Sequence, residues 1–168
     1  LLEESLRSLQ RRDHRHFTGA LSSTEHWRAW KDFRRAAVYL DIETTGCERS
    51  SQVTVVGLYD GARTYTFIAG DNLDQLPDIL ERYAMIVSFN GSSFDLPYLR
   101  RRFPGLPDDF LHLDLRHALG RIGLKGGLKA IERNVGIERD DDLKGLGGWD
   151  AVRLWREYQA GDEESLDT

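Results

Sequence analysis

Two acids one residue apart, Asp41 and Glu43, follow an apolar run, Ala36-Ala37-Val38-Tyr39-Leu40, and lead into Thr44-Thr45-Gly46. The run is short and rich in strand formers, so it reads as a buried β-strand. Side chains alternate along a strand, which puts both carboxylates on one face. Two carboxylates at the end of a buried strand are costly unless a cation lies between them. Their oxygen ligands suit a hard divalent ion, Mg²⁺ or Mn²⁺. The other reading is a solvated strand end that happens to be acidic, and an Asp-x-Glu alone does not choose between the two.

A second stretch, Asn90-Gly91-Ser92-Ser93-Phe94-Asp95-Leu96-Pro97, follows another apolar run. A strand ending at Asn90 and a helix starting near Ser93 put Asp95 in a first helical turn, where the dipole favours negative charge. That alone would account for an acid there. A strand end within an α/β sheet is also where such folds place ligands. Asn90 either meets a substrate or stabilises its turn. Thr44 and Thr45 either offer hydroxyls and N–H groups to a substrate or form a plain turn. Lys129, with Lys125, flanks a helix start at Gly126-Gly127, a fair place for a phosphate. Arg100-Arg101-Arg102 complements a helix C-terminus. Asp114 either supports the site or caps a helix, and His112 and His117 are ligands, bases or ordinary packing residues.

These residues need elements to hold them. Leu2, Leu6 and Leu9 predict an amphipathic helix over 2–12, and residues 11–16 predict a charged connector. Ser22 and Glu25 have capping-box spacing and predict a second helix with Trp27, Trp30 and Phe33 on one side. Residues 1–35 then form a helical arm packed on the rest. Strands are predicted over 52–59 and 62–68, joined at Asp60-Gly61 as a hairpin, and over 85–89 and 110–115. Asp71 or Asn72 caps a helix between the third and fourth strands. Helices are predicted from Ser93, over 128–135 and over 149–159, a mixed α/β order.

The 168 residues suffice for one domain burying on the order of 70% of its unfolded surface. Net charge is −5, so a nucleic-acid partner would have to be met by local basic patches or bound metal. The lone Cys47 excludes an internal disulfide and suits a reducing compartment, and no stretch approaches the ~20 apolar residues of a membrane span. A cytoplasmic protein is expected.

Together the two acidic stretches resemble the DEDD exonuclease superfamily, which has the ribonuclease-H-like fold. Asp41-Ile42-Glu43-Thr44-Thr45-Gly46 is similar to its first motif, and Asn90 through Phe94-Asp95 to its second. The YprB-like ribonuclease-H-like branch is resembled most, through Phe89 to Asp95, His112-Leu113-Asp114-Leu115, Gly127-Leu128-Lys129, and Leu154 to Tyr158 with Gly161-Asp162. The resemblance implies an α/β, ribonuclease-H-like domain over 36–168. Its five-stranded mixed sheet has order 3-2-1-4-5, with the second strand antiparallel and helices flanking. It implies Asp41, Glu43 and Asp95 as three of four metal-binding acids, Mg²⁺ or Mn²⁺ as cofactor with two ions in the complete site, and the 3′ end of DNA or RNA as partner.

The fourth acid of that superfamily lies on a late helix, four residues after a Tyr or five after a His. In the branch resembled it follows the Gly-Asp pair by about a dozen residues, and this sequence runs six residues past Asp162. A C-terminally truncated domain, holding one metal weakly or none, is therefore expected. Tyr158 and Asp162 have the Tyr-x-x-x-Asp spacing and are the internal candidate, although Gly161 is placed to end the helix. The expected function is a metal-dependent 3′–5′ exonuclease. The alternative is a non-catalytic nucleic-acid-binding or scaffolding module of the same fold. The acid set favours the enzyme, since a binding module gains nothing from buried acids that repel phosphate.

Overall fold

The computed structural model describes residues 2–138 and 148–161. Its sheet contains β1 (Ala37–Thr44), β2 (Val53–Tyr59), β3 (Thr64–Ile68), β4 (Met85–Ser88) and β5 (Leu111–Asp114). The order is β3-β2-β1-β4-β5. β2 runs antiparallel to β1 and β3, and β4 is parallel to β1 and β5. This is the implied topology, with the acidic strand at its centre.

Alternation along β1 divides its side chains between two layers. Val38, Leu40 and Ile42 enter the larger core with Val56 and Leu58 of β2. Helices α4 (Leu76–Leu80) and α5 (Asp95–Arg102) close that face with Leu76, Leu80, Leu96 and Leu99. Each fully buried leucine there contributes roughly 1.5–3 kcal/mol. Tyr39, Asp41 and Glu43 take the alternate positions.

The N-terminal segment supplies the second layer. It consists of α1 (Leu2–Gln10), α2 (His14–Ala20), a 3₁₀ stretch Ser23–Ala29 and the short α3 (Trp30–Phe33). Ala29 and Phe33 pack with Met85, Val87, Leu111 and Leu113, flanked by Leu9, Phe17 and Trp30. The segment also covers the outer edge of β5, whose His112 N–H donates to His26 Nδ1 at 3.0 Å. An uncovered edge strand would present unpaired backbone groups. Thr18 Oγ1 donates to the Asp109 carbonyl at 3.1 Å, and Arg15 pairs with Asp109 at 2.6 Å.

Local structure departs from expectation at several points. The second half of the charged connector is helical: Asp13 caps α2, its carboxylate accepting the His16 N–H at 3.4 Å. The Ser22/Glu25 capping box does not form. Ser22 instead bonds Thr24, and Glu25 pairs with Arg28 and Arg121, so the stretch winds as a 3₁₀ helix. Trp27 stays partly outside, under the Arg121 guanidinium. The first helix forms, but Leu2 and Leu6 are 77% and 53% exposed and only Leu9 reaches the core. The β2–β3 turn spans four residues, because the Asp60 carboxylate accepts the N–H groups of both Ala62 and Arg63 at 2.8 Å. Asn72 does not cap the next helix; its side chain bridges Ile68 N–H and the Thr66 carbonyl.

The remaining helices are α6 (Leu115–Arg121), α7 (Leu128–Asn134) and α8 (Gly148–Gln159). The last packs against β1 and buries Val152 and Trp155. No helix of the described residues is long and apolar enough to cross a membrane.

The imidazole of His112 lies 2.9 Å from Ser88 Oγ. Burial pushes its pKa down to about 4, with the Asp114 charge opposing. The unfolded chain therefore takes up this proton first. The stability His112 contributes is full above its ordinary pKa near 6.5 and is lost as pH falls toward 4. Urea unfolding of wild type and His112→Asn at pH 7 and pH 5 checks this: the pH-dependent loss is expected to be smaller in the variant, and equal losses would refute the assignment.

Candidate active site

β1 pairs with β4 only through Ala37, Val38 and Tyr39. Past Tyr39 it runs on with β2 as its strand partner and no pairing to β4. Asp41, Glu43 and the turn after them stand on this extension. Asp95, the first residue of α5, is buried. Burial pushes its carboxyl up to about 7, and the Asp41 charge adds to this. The N–H groups of Asp95 itself and of Ile42 pull in the opposite direction. Glu43 is half-buried and also pushed up to about 7, first by burial and then by Asp41. Asp41 is thus the exposed member whose charge both others feel.

Gly57 is the β2 partner of Asp41 in register, and a Cβ built on it would meet nothing within 4 Å. Asp41 accordingly borders a hollow of about 370 Å³, together with Tyr39, Tyr59 and Leu115. The β1–β2 register shifts between Glu43 and Thr44. A bulge of this kind re-aims the side chains beside it.

The loop from β4 to α5 hangs on Asp114. Its carboxylate accepts the N–H of Asn90 at 2.8 Å, the N–H of Ser92 at 3.1 Å, the Ser92 hydroxyl, and the N–H of Arg116 at 3.0 Å. Burial raises the Asp114 carboxyl, but these four donors outweigh it and hold it below the usual range. Asp114 therefore caps α6 and at the same time ties down the loop that presents Asp95. Asn90 has φ +66°, a conformation asparagine tolerates better than most residues, and its Oδ1 accepts from Arg116 at 2.7 Å. Gly91 leaves no room for a side chain: a Cβ would lie 2.0 Å from Ser88 Oγ and 3.3 Å from Asp95 Oδ2.

The expected residues fall into four groups. Asp41, Glu43 and Asp95 come together electrostatically. Thr44, Thr45 and Asn90 adjoin them with side chains engaged in holding loops: Thr44 Oγ1 donates to the Gly46 carbonyl at 2.6 Å, and Thr45 Oγ1 accepts the Gln52 N–H at 3.0 Å. Lys129 is exposed on the first turn of α7. Tyr158 stacks near Trp155 in α8, which ends at Gln159 with Gly161 at φ +101°; Asp162 lies outside the described residues. Sequence reasoning missed Gly91 and Arg116. The Asn-Gly pair carried a signal for the first. Nothing local signals the second, whose partner is 26 residues away.

A model of the RNase H superfamily matches residues 38–168. The chain belongs to the RNase H superfamily. Among solved structures, this RNase H superfamily member is similar to a family B DNA polymerase from the archaeon Pyrobaculum calidifontis. The TM-score is 0.62 at 17% identity, over 78% of this chain and 21% of that one. It is also similar to Escherichia coli RNase D, an exoribonuclease involved in structured RNA processing, with TM-score 0.49 at 16% identity over 86% of this chain and 45% of that one. Among characterised proteins, 65 residues are 42% identical to DNA polymerase 1 of Aeropyrum pernix, covering 38% of this chain and 6% of the polymerase. The chain therefore spans a small part of the length of either polymerase.

Two outcomes follow for this superfamily member. Asp41→Asn removes the charge shared by Glu43 and Asp95, so both titrations are expected to move down from about 7 in carboxyl ¹³C NMR while burial keeps them above ordinary values. Unmoved titrations would exclude the coupling. Gly91→Ala forces Ser88 or the loop to shift and is expected to destabilise by about 1–3 kcal/mol in urea unfolding.

Proposed function

We propose that this chain is a metal-dependent 3′–5′ exonuclease hydrolysing phosphodiester bonds of DNA or RNA. Asp41, Glu43 and Asp95 are its metal-holding and catalytic acids, and Mg²⁺ or Mn²⁺ its cofactor. The observation that carries the reading is the shared charge at the end of β1: two carboxyls pushed up to about 7, each by burial and by the same third acid. Such a cluster cannot hold its full charge near neutrality without a cation, and oxygen donors suit a hard one. Among the described residues, no group of three or more His, Cys, Asp or Glu side chains stands in an arrangement that could hold a metal ion. The donor chemistry fits, and the present spacing does not close round an ion. Membership of the RNase H superfamily supports nuclease chemistry in general.

A bound divalent ion would supply electrostatic stabilisation of the charge that builds on phosphate oxygens during displacement. The chain's own residues do the positioning. β1 carries Asp41 and Glu43 past its pairing with β4, and Asp114 fixes the loop that delivers Asp95. Thr44, Thr45 and Asn90 shape the border on which a terminal nucleotide would rest, and Lys129 offers a cation to its phosphates. Residues 36–168 form the nuclease domain in this reading, and residues 1–35 an arm that braces its sheet. The open spacing of the acids is the one observation favouring a non-catalytic binding module instead.

Digestion of 5′-labelled single-stranded DNA and RNA with Mg²⁺ or Mn²⁺ tests the proposal. Progressive shortening from the 3′ end is expected. Asp41→Asn, Glu43→Gln and Asp95→Asn should each lower the rate by about a hundredfold or more. Rates unchanged in all three variants would exclude it. Metal uptake must displace protons from Glu43 and Asp95, so affinity for Mn²⁺ should rise as pH passes upward through about 7, with proton release measurable by calorimetry in two buffers.

A further inference from the structure

Away from the acids, α5 carries a second feature. Tyr98, Arg101 and Arg102 line one side of a groove of about 400 Å³. Its other wall is the β1–β2 loop, including Arg49 and Ser50, and no carboxylate lines it. The walls are joined by the Tyr98 hydroxyl, which donates to the Glu48 carbonyl at 2.7 Å. The two neighbouring arginines of α5 are neutralised: Arg100 pairs with Asp108 at 2.7 Å and Arg102 with Asp74 at 2.5 Å. Arg101 is not. Its guanidinium lies over the Tyr98 ring, 4.2 Å from the centroid. Among the described residues no ion pair involves Arg49 or Arg101. In a chain of net charge −5, this groove holds two arginines, Arg49 and Arg101, that no ion pair among the described residues offsets.

Its position relative to the acids follows from helix geometry. Arg101 is six residues after Asp95 on the same helix, about 9 Å along the axis at 1.5 Å per residue. The opposite wall belongs to the loop that begins where the acidic strand ends. The groove therefore lies on the α5 side of the sheet, between the two elements, α5 and the end of β1, that also carry the acids. Its chemistry selects phosphate over base. Guanidinium groups bond phosphate oxygens with a planar fork. The Tyr98 ring is already packed against Arg101 and against Phe94, whose centroid is 4.8 Å away, which leaves no aromatic platform for a base to stack on.

We propose that this groove holds the phosphate backbone of the nucleic-acid strand leading to the acid site, with Arg49 and Arg101 as the phosphate-contacting side chains. The identity of the strand rests on the nuclease reading above. The contact is sequence-independent, because phosphate contacts set register without reading bases.

Fluorescence anisotropy with labelled dodecathymidylate and trithymidylate, in Ca²⁺ over a salt series, tests this on wild type and Arg49→Gln/Arg101→Gln. The double variant is expected to weaken dodecamer binding at least about tenfold, and the slope of log affinity against log salt to fall by about 1.4, or 0.7 for each lost phosphate contact. Binding of the trimer, too short to span both regions, should change by less than about twofold. Arg49→Lys/Arg101→Lys should recover most of the loss, since charge is retained. An unchanged dodecamer affinity and slope overturns the proposal. So does an equal loss for both lengths, or a wild-type chain that does not bind the dodecamer. Hydrolysis by Asp41→Asn separates the two readings. If that variant is inactive while Arg49→Gln/Arg101→Gln binds the dodecamer normally, the groove falls and the nuclease stands. If Asp41→Asn cleaves like wild type while the arginine variant loses the dodecamer, the nuclease falls and the groove remains a nucleic-acid site.

Discussion

The charge of Asp41 falls on two carboxyls that burial has already made reluctant to ionise, and much of this domain serves to keep the three together. Asp41 and Glu43 share a strand, so their spacing is set by the pleat and cannot relax without breaking the pairing to β2. Asp95 arrives from a different element and would be the one to move. What opposes its retreat is the anchoring of its loop, through the three donors that Asn90 and Ser92 give to Asp114 and the close fit of Gly91 against Ser88. The loop is thus held against repulsion among the acids by hydrogen bonds to Asp114, although the Asp114 charge itself adds to the repulsion on Asp95.

Asp114 depends in turn on the sheet edge. Asp114 ends β5, the outermost strand on its side, and β5 is backed by the N-terminal segment through His26, Thr18 and the packing of Phe33 against Met85, Val87 and Leu111. The arm and the acids are far apart in sequence but successive links in one mechanical chain: arm to β5, β5 to the Asn90 loop, the loop to Asp95. An edge strand closed by side chains and apolar cover is less able to shift than one open to water.

Charge is partitioned along α5. Its N-terminus carries the buried Asp95, where the helix dipole favours an anion, and its C-terminus carries three arginines, where the dipole favours cations. Two of those arginines are matched by acids, and the third is held over Tyr98. A single short helix therefore joins a negative site to a positive groove, an arrangement suited to a substrate that is itself a chain of negative charges.

The succession of strands along the chain, the placing of Asp41 and Glu43 on one face and the position of Asp95 at a strand-to-helix junction could be read from the sequence, because each follows from local periodicity or from short motifs whose residues are neighbours along the chain; the order of the strands within the sheet followed from the family resemblance. The two-residue hairpin loop, the Ser22/Glu25 capping box and an Asn72 cap, one of the pair Asp71 or Asn72, do not form, for the same reason in reverse: Asp60, Glu25 and Asn72 have several possible partners, and local spacing does not choose among them. The Asn90 side chain accepts from Arg116, and Asp114 anchors a loop 22 to 24 residues before it, contacts that span too much sequence for a local motif to carry. The carboxyl shifts of Glu43 and Asp95, and the meeting of His26 with His112, were decided only by tertiary structure. Burial and through-space charge depend on which segments are packed together, and that information is spread over the whole chain and present in none of its motifs.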